Sequence, residues 1–256
     1  MFVNYKVENR IAFIEINRPD KRNALNAELV SELTQSFEKA EKDENVKVII
    51  LKSVGDVFSA GADLDYLKKL QSNSFDENLK DSNQLRKLFQ LIYEQPKIVI
   101  AQVQGHAIAG GCGLASVCDF IFSVPEAKFG YTEVKIGFIP AIVAVFLLRK
   151  IGEGLTKELV FNGDLIDAER AKHINLINFI SEADKIEEDV INYAQKLCNT
   201  TSSQSIALTK QLLNKIQDKP INKALEFAAE MNAHARSTVD CKRGIQAFLD
   251  KNKIVW

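Results

Sequence analysis

Histidine, cysteine and proline are sparse: three, four and five residues in a chain of 256. Cys112, Cys118, Cys198 and Cys241 form no Cys-x-x-Cys pair and have no histidine at metal-ligand spacing, which argues against a structural metal or a disulfide framework. They read as reduced, mostly buried thiols. An excess of one charge is missing too. Lys plus Arg (33) nearly balances Asp plus Glu (34), and a formal charge of −1 supplies no field for nucleic acid or a bulk membrane surface. No apolar run is long and uninterrupted enough to span a bilayer. No charged-then-apolar leader precedes Met1-Phe2-Val3-Asn4-Tyr5, so a soluble cytoplasmic protein is expected. A nucleophile elbow is absent around Ser59 and Ser116, and His106, His173 and His234 sit in unrelated contexts, which argues against a serine hydrolase.

Against this plain background stands one unusual stretch, Gly105-His106-Ala107-Ile108-Ala109-Gly110-Gly111-Cys112-Gly113-Leu114-Ala115. It follows the strand-like run Ile98 to Val103 and leads into the helix-compatible segment Leu114 to Cys118. Each glycine inside a helix costs roughly 0.5–1 kcal/mol against alanine, so the run suits a place where backbone must come close to something else. Free N–H groups at a helix start can hold an anion or a developing oxyanion. Tight strand-to-helix packing explains the same residues equally well. A dinucleotide fingerprint does not, because Ser116 stands where the third small residue would be needed.

Along the chain, Arg10 to Ile16 reads as a strand stopped by Asn17-Arg18-Pro19-Asp20. Asn26 is a good N-cap for a helix carrying Leu29, Val30, Leu33, Phe37 and Ala40 at helical spacing. Val46 to Leu51 is a second strand, and Val57 to Leu64 an extended piece ending in small residues before a helix. The order strand, glycine-bearing turn, helix recurs at Ile98 to Cys118, and again at Asp119 to Ile151, as a degenerate strand-strand-helix repeat. Gln71 to Asn78 is polar and aperiodic, a solvated surface loop or a mobile lid. Beyond Gly152 the pattern is helical throughout, with Asp167 and Ser202 as N-caps. The predicted class is α/β, and the helical tail is expected to pack on the core or on a neighbouring subunit.

Three separated segments resemble the crotonase superfamily, the enoyl-CoA hydratase/isomerase family: Asn17 to Asn26, Phe58 to Leu64, and Gly105 to Ala115 followed by Cys118-Asp119. Gly244 to Lys251 resembles its C-terminal signature. The resemblance implies a spiral of strand-strand-helix repeats over residues 1–195, and a helical C-terminal trimerisation region over 196–256. It also implies a homotrimer or homohexamer, with an acyl-CoA thioester as substrate and no cofactor beyond the CoA it carries. The thioester carbonyl would sit in an oxyanion hole made by the N–H groups of Ala62 and Gly110. Carried over in the same way, backbone groups around Ala60, Asp63 and Leu64 would meet the adenine, Lys21 or Arg22 the phosphates, and Phe248 and Lys251 the nucleotide, from the same or another subunit. Asp63 reads equally well as a helix N-terminal carboxylate.

By the same resemblance, hydratases use two glutamates. The later matches Glu133; the earlier would stand at Gly113, and is missing. Glu133, among apolar residues and glycines, is expected to be partly buried with a raised pKa, or else paired at the surface with Lys135. Tyr131, two residues earlier, contacts an acyl group or fills core. Methylglutaconyl-CoA hydratase-like members share glycine at the equivalent of Gly113 and the style of Glu133 to Ile142. Isomerases moving a double bond from carbon 3 to carbon 2 also keep only the later glutamate. Hydration of a 2-enoyl-CoA is the favoured reading, isomerisation the second, and a catalytically silent acyl-CoA-binding protein the alternative of another class. Gln71 to Asn83 and Ile142 to Leu148 are expected to shape the acyl pocket.

Overall fold

The computed structural model describes all 256 residues. Strands β1 (Val3–Glu8) and β2 (Ile11–Ile16) form an antiparallel hairpin, after which helix α1 (Ala27–Lys42) returns the chain to β3 (Val48–Ser53), parallel to β2. The Asn26 side chain accepts the Leu29 N–H at 2.9 Å, and α1 buries Leu29, Val30, Leu33, Phe37 and Ala40, the five residues whose spacing predicted the helix. At about 1.5–3 kcal/mol per buried large apolar side chain, this face fixes the orientation of the helix.

From the third strand to the eighth, successive strands alternate between two sheets. The larger has the order β1-β2-β3, then β5 (Ile98–Val103), β7 (Phe120–Ser123) and β10 (Phe179–Ile180); the smaller has β4 (Val57–Ser59), β6 (His106–Ile108), β8 (Lys128–Gly130) and β9 (Ile166–Asp167). The chain runs β3 to β4 (Val57–Ser59) and then α2 (Leu64–Leu70) and α3 (Phe75–Glu94). It continues through β5 (Ile98–Val103), β6 (His106–Ile108) and α4 (Gly110–Ser116), then β7 (Phe120–Ser123), β8 (Lys128–Gly130) and α5 (Ala141–Asn162). Each turn of this spiral is a strand-strand-helix unit that buries its face against the next, forming one core.

Several details differ from the sequence reading. β6 lies inside the glycine run and α4 begins at Gly110, four residues before the expected Leu114, because Ala107 is buried and pairs with both Ser59 and Phe129. Phe75 to Asn78 belong to α3, not to a loop. Ser74 and Glu77 form a capping box there, a Ser-x-x-Glu signature legible in the sequence but masked by its polarity. Beyond Gly152 the chain is not wholly helical: β9 (Ile166–Asp167) joins the small sheet and β10 (Phe179–Ile180) the large one, flanking α6 (Ala168–His173). Two-residue strands fall below what alternation can reveal. Asp167 and Ser202 do cap helices, accepting the Arg170 and Ser205 N–H groups.

Helices α7 (Ile186–Thr200), α8 (Ser203–Ile216), α9 (Ile221–Ser237) and α10 (Val239–Leu249) complete the chain. α7 packs on the large sheet, whereas α8, α9 and α10 contain no fully buried residue. No helix is long and apolar enough to cross a membrane.

Candidate active site

β4, β6 and β8 are parallel neighbours in the small sheet, so their carboxyl ends open on one side. Ala62 follows β4 by three residues, Gly110 follows β6 by two, and Glu133 follows β8 by three. The carboxyl end of parallel strands is where α/β sheets bind ligands.

Two backbone N–H groups are set apart there. The Ala60 N–H donates to the Arg22 carbonyl at 3.0 Å, Gly61 to Ser59 Oγ at 3.4 Å and Asp63 to the Leu25 carbonyl at 2.9 Å, leaving Ala62, which is exposed, as the donor between them with no acceptor. In the facing segment the Ala109 N–H donates to the Gly130 carbonyl at 2.7 Å, and the Gly113 N–H begins the ladder of α4. The Gly110 N–H therefore belongs to the unpaired first turn. Gly61 holds these segments together: with φ +88°, a Cβ built on it would lie 2.9 Å from Ala109 Cβ and 3.4 Å from the Gly110 nitrogen. Ala109 itself has φ 51° and ψ −126°, a strained setting for a residue with a side chain. That strain aims the next peptide N–H.

Glu133 opens a 3-10 turn, Glu133–Ile136, rather than continuing a strand. It is 9 % exposed, and its Oε2 is buried without a hydrogen-bond partner. Burial raises its pKa above the ordinary 4.5. The 3-10 turn that it opens packs against α5. The surface-pair alternative fails, because Lys135 bonds Asp164 at 2.8 Å.

Tyr131 is fully buried and does not share a strand face with Glu133. Its hydroxyl donates to Ser116 Oγ at 3.2 Å, and Ser116 in turn donates to the Gly113 carbonyl at 3.0 Å. Of its two readings, acyl contact and core filling, the burial fits the second: Tyr131 braces α4. Gly113 is also buried, and it faces α5. A Cβ there would stand 2.1 Å from Val143 Cγ1 and 3.3 Å from a Phe89 ring carbon. Val143 occupies the space a side chain at 113 needs. Gly113→Ala is accordingly expected to destabilise by about 1–3 kcal/mol despite alanine's better helix propensity. Adding Val143→Ala should recover part of the loss, as read by denaturant unfolding of both variants.

Asp63 N-caps α2 by accepting the Asp65 and Tyr66 N–H groups, and pairs with Arg18 at 2.6 Å. Burial alone would raise its pKa; Arg18 and the two backbone donors outweigh burial and hold the carboxyl below the usual range. The sequence assigns Arg18 no role beyond its place in the Asn17 to Asn26 segment; it also donates to the Ala24 carbonyl at 2.9 Å. Removing one partner of a buried pair costs about 3–5 kcal/mol, the loss expected for Arg18→Met near neutral pH. Because the folded pKa of Asp63 is depressed, the stabilisation is complete above the ordinary carboxylate value and disappears as pH falls through the folded one. The gap between wild type and variant in denaturant midpoints should close with it.

Lys21 is exposed and bonds Asp65 at 3.0 Å, beside the exposed Arg22 and Leu64 at the rim of this region. Phe248 and Lys251 lie elsewhere, on α10 and just after it, with Phe248 83 % exposed; α10 packs on α8 and α9, away from these strand ends.

The profile of the enoyl-CoA hydratase/isomerase family matches residues 6–256. This chain belongs to that family. A Thermus thermophilus protein provisionally named an enoyl-CoA hydratase is 38% identical over 95% of this chain and 96% of its own length. A crotonyl-CoA hydratase of Syntrophomonas wolfei is 32% identical over 96% and 94%. Among solved structures, an enoyl-CoA hydratase/isomerase (crotonase) of Legionella pneumophila, also provisionally named, superposes with a TM-score of 0.89 at 34% identity, covering 98% of this chain and 97% of that one. The spiral of strand-strand-helix repeats is thus the crotonase fold.

Proposed function

We propose that this member of the family is an enoyl-CoA hydratase acting on a 2-enoyl-CoA, with Glu133 as the acid/base and the Ala62 and Gly110 N–H groups as the oxyanion hole. The observation that carries the reading is Glu133: a buried carboxyl with an unpartnered oxygen, at the end of a strand neighbouring the one that leads to Gly110. As carboxylate, Glu133 takes a proton from water while the water oxygen bonds to carbon 3. The carbon 2–carbon 3 π electrons move toward the thioester oxygen, where the two N–H groups meet the charge. Glu133 then returns the proton to carbon 2 on the same face, giving syn addition. A missing oxyanion donor typically costs about 3–4 kcal/mol of barrier, so both are needed. The CoA arrives with the substrate, and no step calls for another cofactor.

The filled space at Gly113 favours a second reading. With Val143 in the place of a second carboxylate, a single proton shuttle also suits isomerisation of a 3-enoyl-CoA. Incubation with a 2-enoyl-CoA, a 3-enoyl-CoA and 3-methylglutaconyl-CoA separates them. A water adduct by mass supports hydration, double-bond migration at unchanged mass supports isomerisation, and tight binding with neither product supports a silent binding protein.

We further propose that residues 1–195 carry the acyl-CoA site and 196–256 the oligomerisation region of a homotrimer or homohexamer, in a reducing cytoplasm that keeps all four cysteines free. Leu213, Ile221, Leu225, Val239, Ile245 and Phe248 are exposed on helices that bury nothing in one subunit, which is the surface expected of an interface. Light scattering that returns a stable monomer overturns the assembly.

A further inference from the structure

α5 touches α4 along one face. Val143, Leu147 and Lys150 stand at i, i+4 and i+7, so they line a single stripe of the helix. Val143 presses on Gly113, Leu147 is fully buried, and Lys150 reaches the far end of α4, donating from Nζ to the Ser116 carbonyl at 3.0 Å and the Cys118 carbonyl at 3.2 Å. Burial lowers the Lys150 pKa from the ordinary lysine value. No carboxylate pairs with it: the neighbouring Asp119 is bonded to Lys210 at 2.5 Å and to the Val99 N–H at 2.7 Å.

α4 carries no charged residue, and all of it except Gly110 is buried. Its seven residues span about 10 Å at 1.5 Å per residue, so it behaves as a short rod whose two ends move together. Other carbonyls near its end have partners of their own: Gly113 receives the Val117 N–H and the Ser116 hydroxyl, and Ala115 the Cys118 N–H. Those of Ser116 and Cys118 have Lys150. Deleting the ammonium leaves two buried acceptors short of their donor, and they can regain one only if this end of α4 shifts.

We propose that Lys150 is a positioning residue for the oxyanion hole: it pins the C-terminal end of α4 so that the Gly110 N–H at the other end stays aligned with that of Ala62. The inference rests on the oxyanion-hole reading above. Lys150 touches no substrate atom and moves no proton. Its effect on turnover is geometric, since misplacement by about 1 Å can cost as much as 10²-fold in rate.

The test uses dimethylaminocinnamoyl-CoA, a push-pull thioester whose absorption shifts to the red when donors polarise its carbonyl. Lys150→Met retains the buried stem and loses the donors. It is expected to bind the probe with a smaller red shift than wild type and to lower kcat on a 2-enoyl-CoA by about 10-fold or more, with KM changed much less. A full red shift and unchanged kcat, with only the melting temperature reduced, overturn the proposal and leave Lys150 a stabilising residue. Should Lys150→Met fail to fold, Lys150→Gln, which keeps a shorter N–H donor, carries the same measurement: a reduced shift supports the proposal and an unchanged one overturns it. A wild type that binds the probe with no shift overturns the oxyanion hole itself, a result distinct from equal shifts in wild type and variant.

Discussion

Glu133→Gln is expected to lower kcat by about 10²–10⁴-fold, the usual contribution of a positioned general acid/base, while the thioester still binds. The same change should stabilise the fold. Burial raises the Glu133 pKa in the folded protein above the ordinary 4.5, with no cation nearby to offset it. Over the interval between the unfolded and folded values, the native state binds more protons than the unfolded one, so wild-type stability falls as pH rises through that window. Below it the carboxyl is neutral in both states. Glutamine, neutral at every pH, escapes the loss. Denaturant midpoints of the two proteins should therefore differ little in acid and diverge toward neutrality, with the variant the more stable. The pH profile of kcat/KM reports the same group: an acid limb above the ordinary glutamate range, present in wild type and absent from residual Glu133→Gln activity. Retained turnover would remove Glu133 from the mechanism.

The repeat and α1 are legible in the sequence because both write themselves in local periodicity. Asn26 and five apolar residues at helical spacing suffice to specify α1, and the alternation of strand and glycine-bearing turn announces the spiral. The glycine run is legible only as an ambiguity, between a cradle for a charged atom and a means of close packing. In the structure the residues divide the two tasks. Gly110 presents an open N–H, whereas Gly111 and Gly113 make room for Ser59 and Val143, whose atoms would stand 2.3 and 2.1 Å from an added Cβ. Arg18, Val143 and Lys150 act on segments 45, 30 and 32–34 residues away in sequence, through contacts that no local pattern encodes. Tyr131 is ambiguous for a related reason: its spacing from Glu133 suggests a shared strand face, but β8 ends at Gly130 and a 3-10 turn begins at Glu133, so period-two alternation does not apply to the pair.

Gly61→Ala is expected to reduce kcat by about 10²–10³-fold, the loss associated with a misplaced oxyanion donor. Two effects combine at this position. The backbone sits at φ +88°, where a Cβ costs about 1–3 kcal/mol of strain, and the new methyl would meet Ala109 Cβ at 2.9 Å and the Ile108 carbonyl at 3.0 Å. Neither neighbour can yield cheaply, because Ala109 already occupies a strained conformation and its N–H is tied to the Gly130 carbonyl. The methyl must therefore push the Ala62 and Gly110 segments apart, and the two N–H groups can no longer converge on one oxygen. Gly55 supplies the control. It has nearly the same φ, +84°, and an added Cβ would meet Pro19 at 3.2 Å, but it lies outside both donor segments. Gly55→Ala should lower the melting temperature with kcat little changed, whereas Gly61→Ala should lower both. Equal kcat losses in the two variants would mean that backbone strain anywhere in the fold reaches the chemistry, and that the pairing of Ala62 with Gly110 has no special part in it.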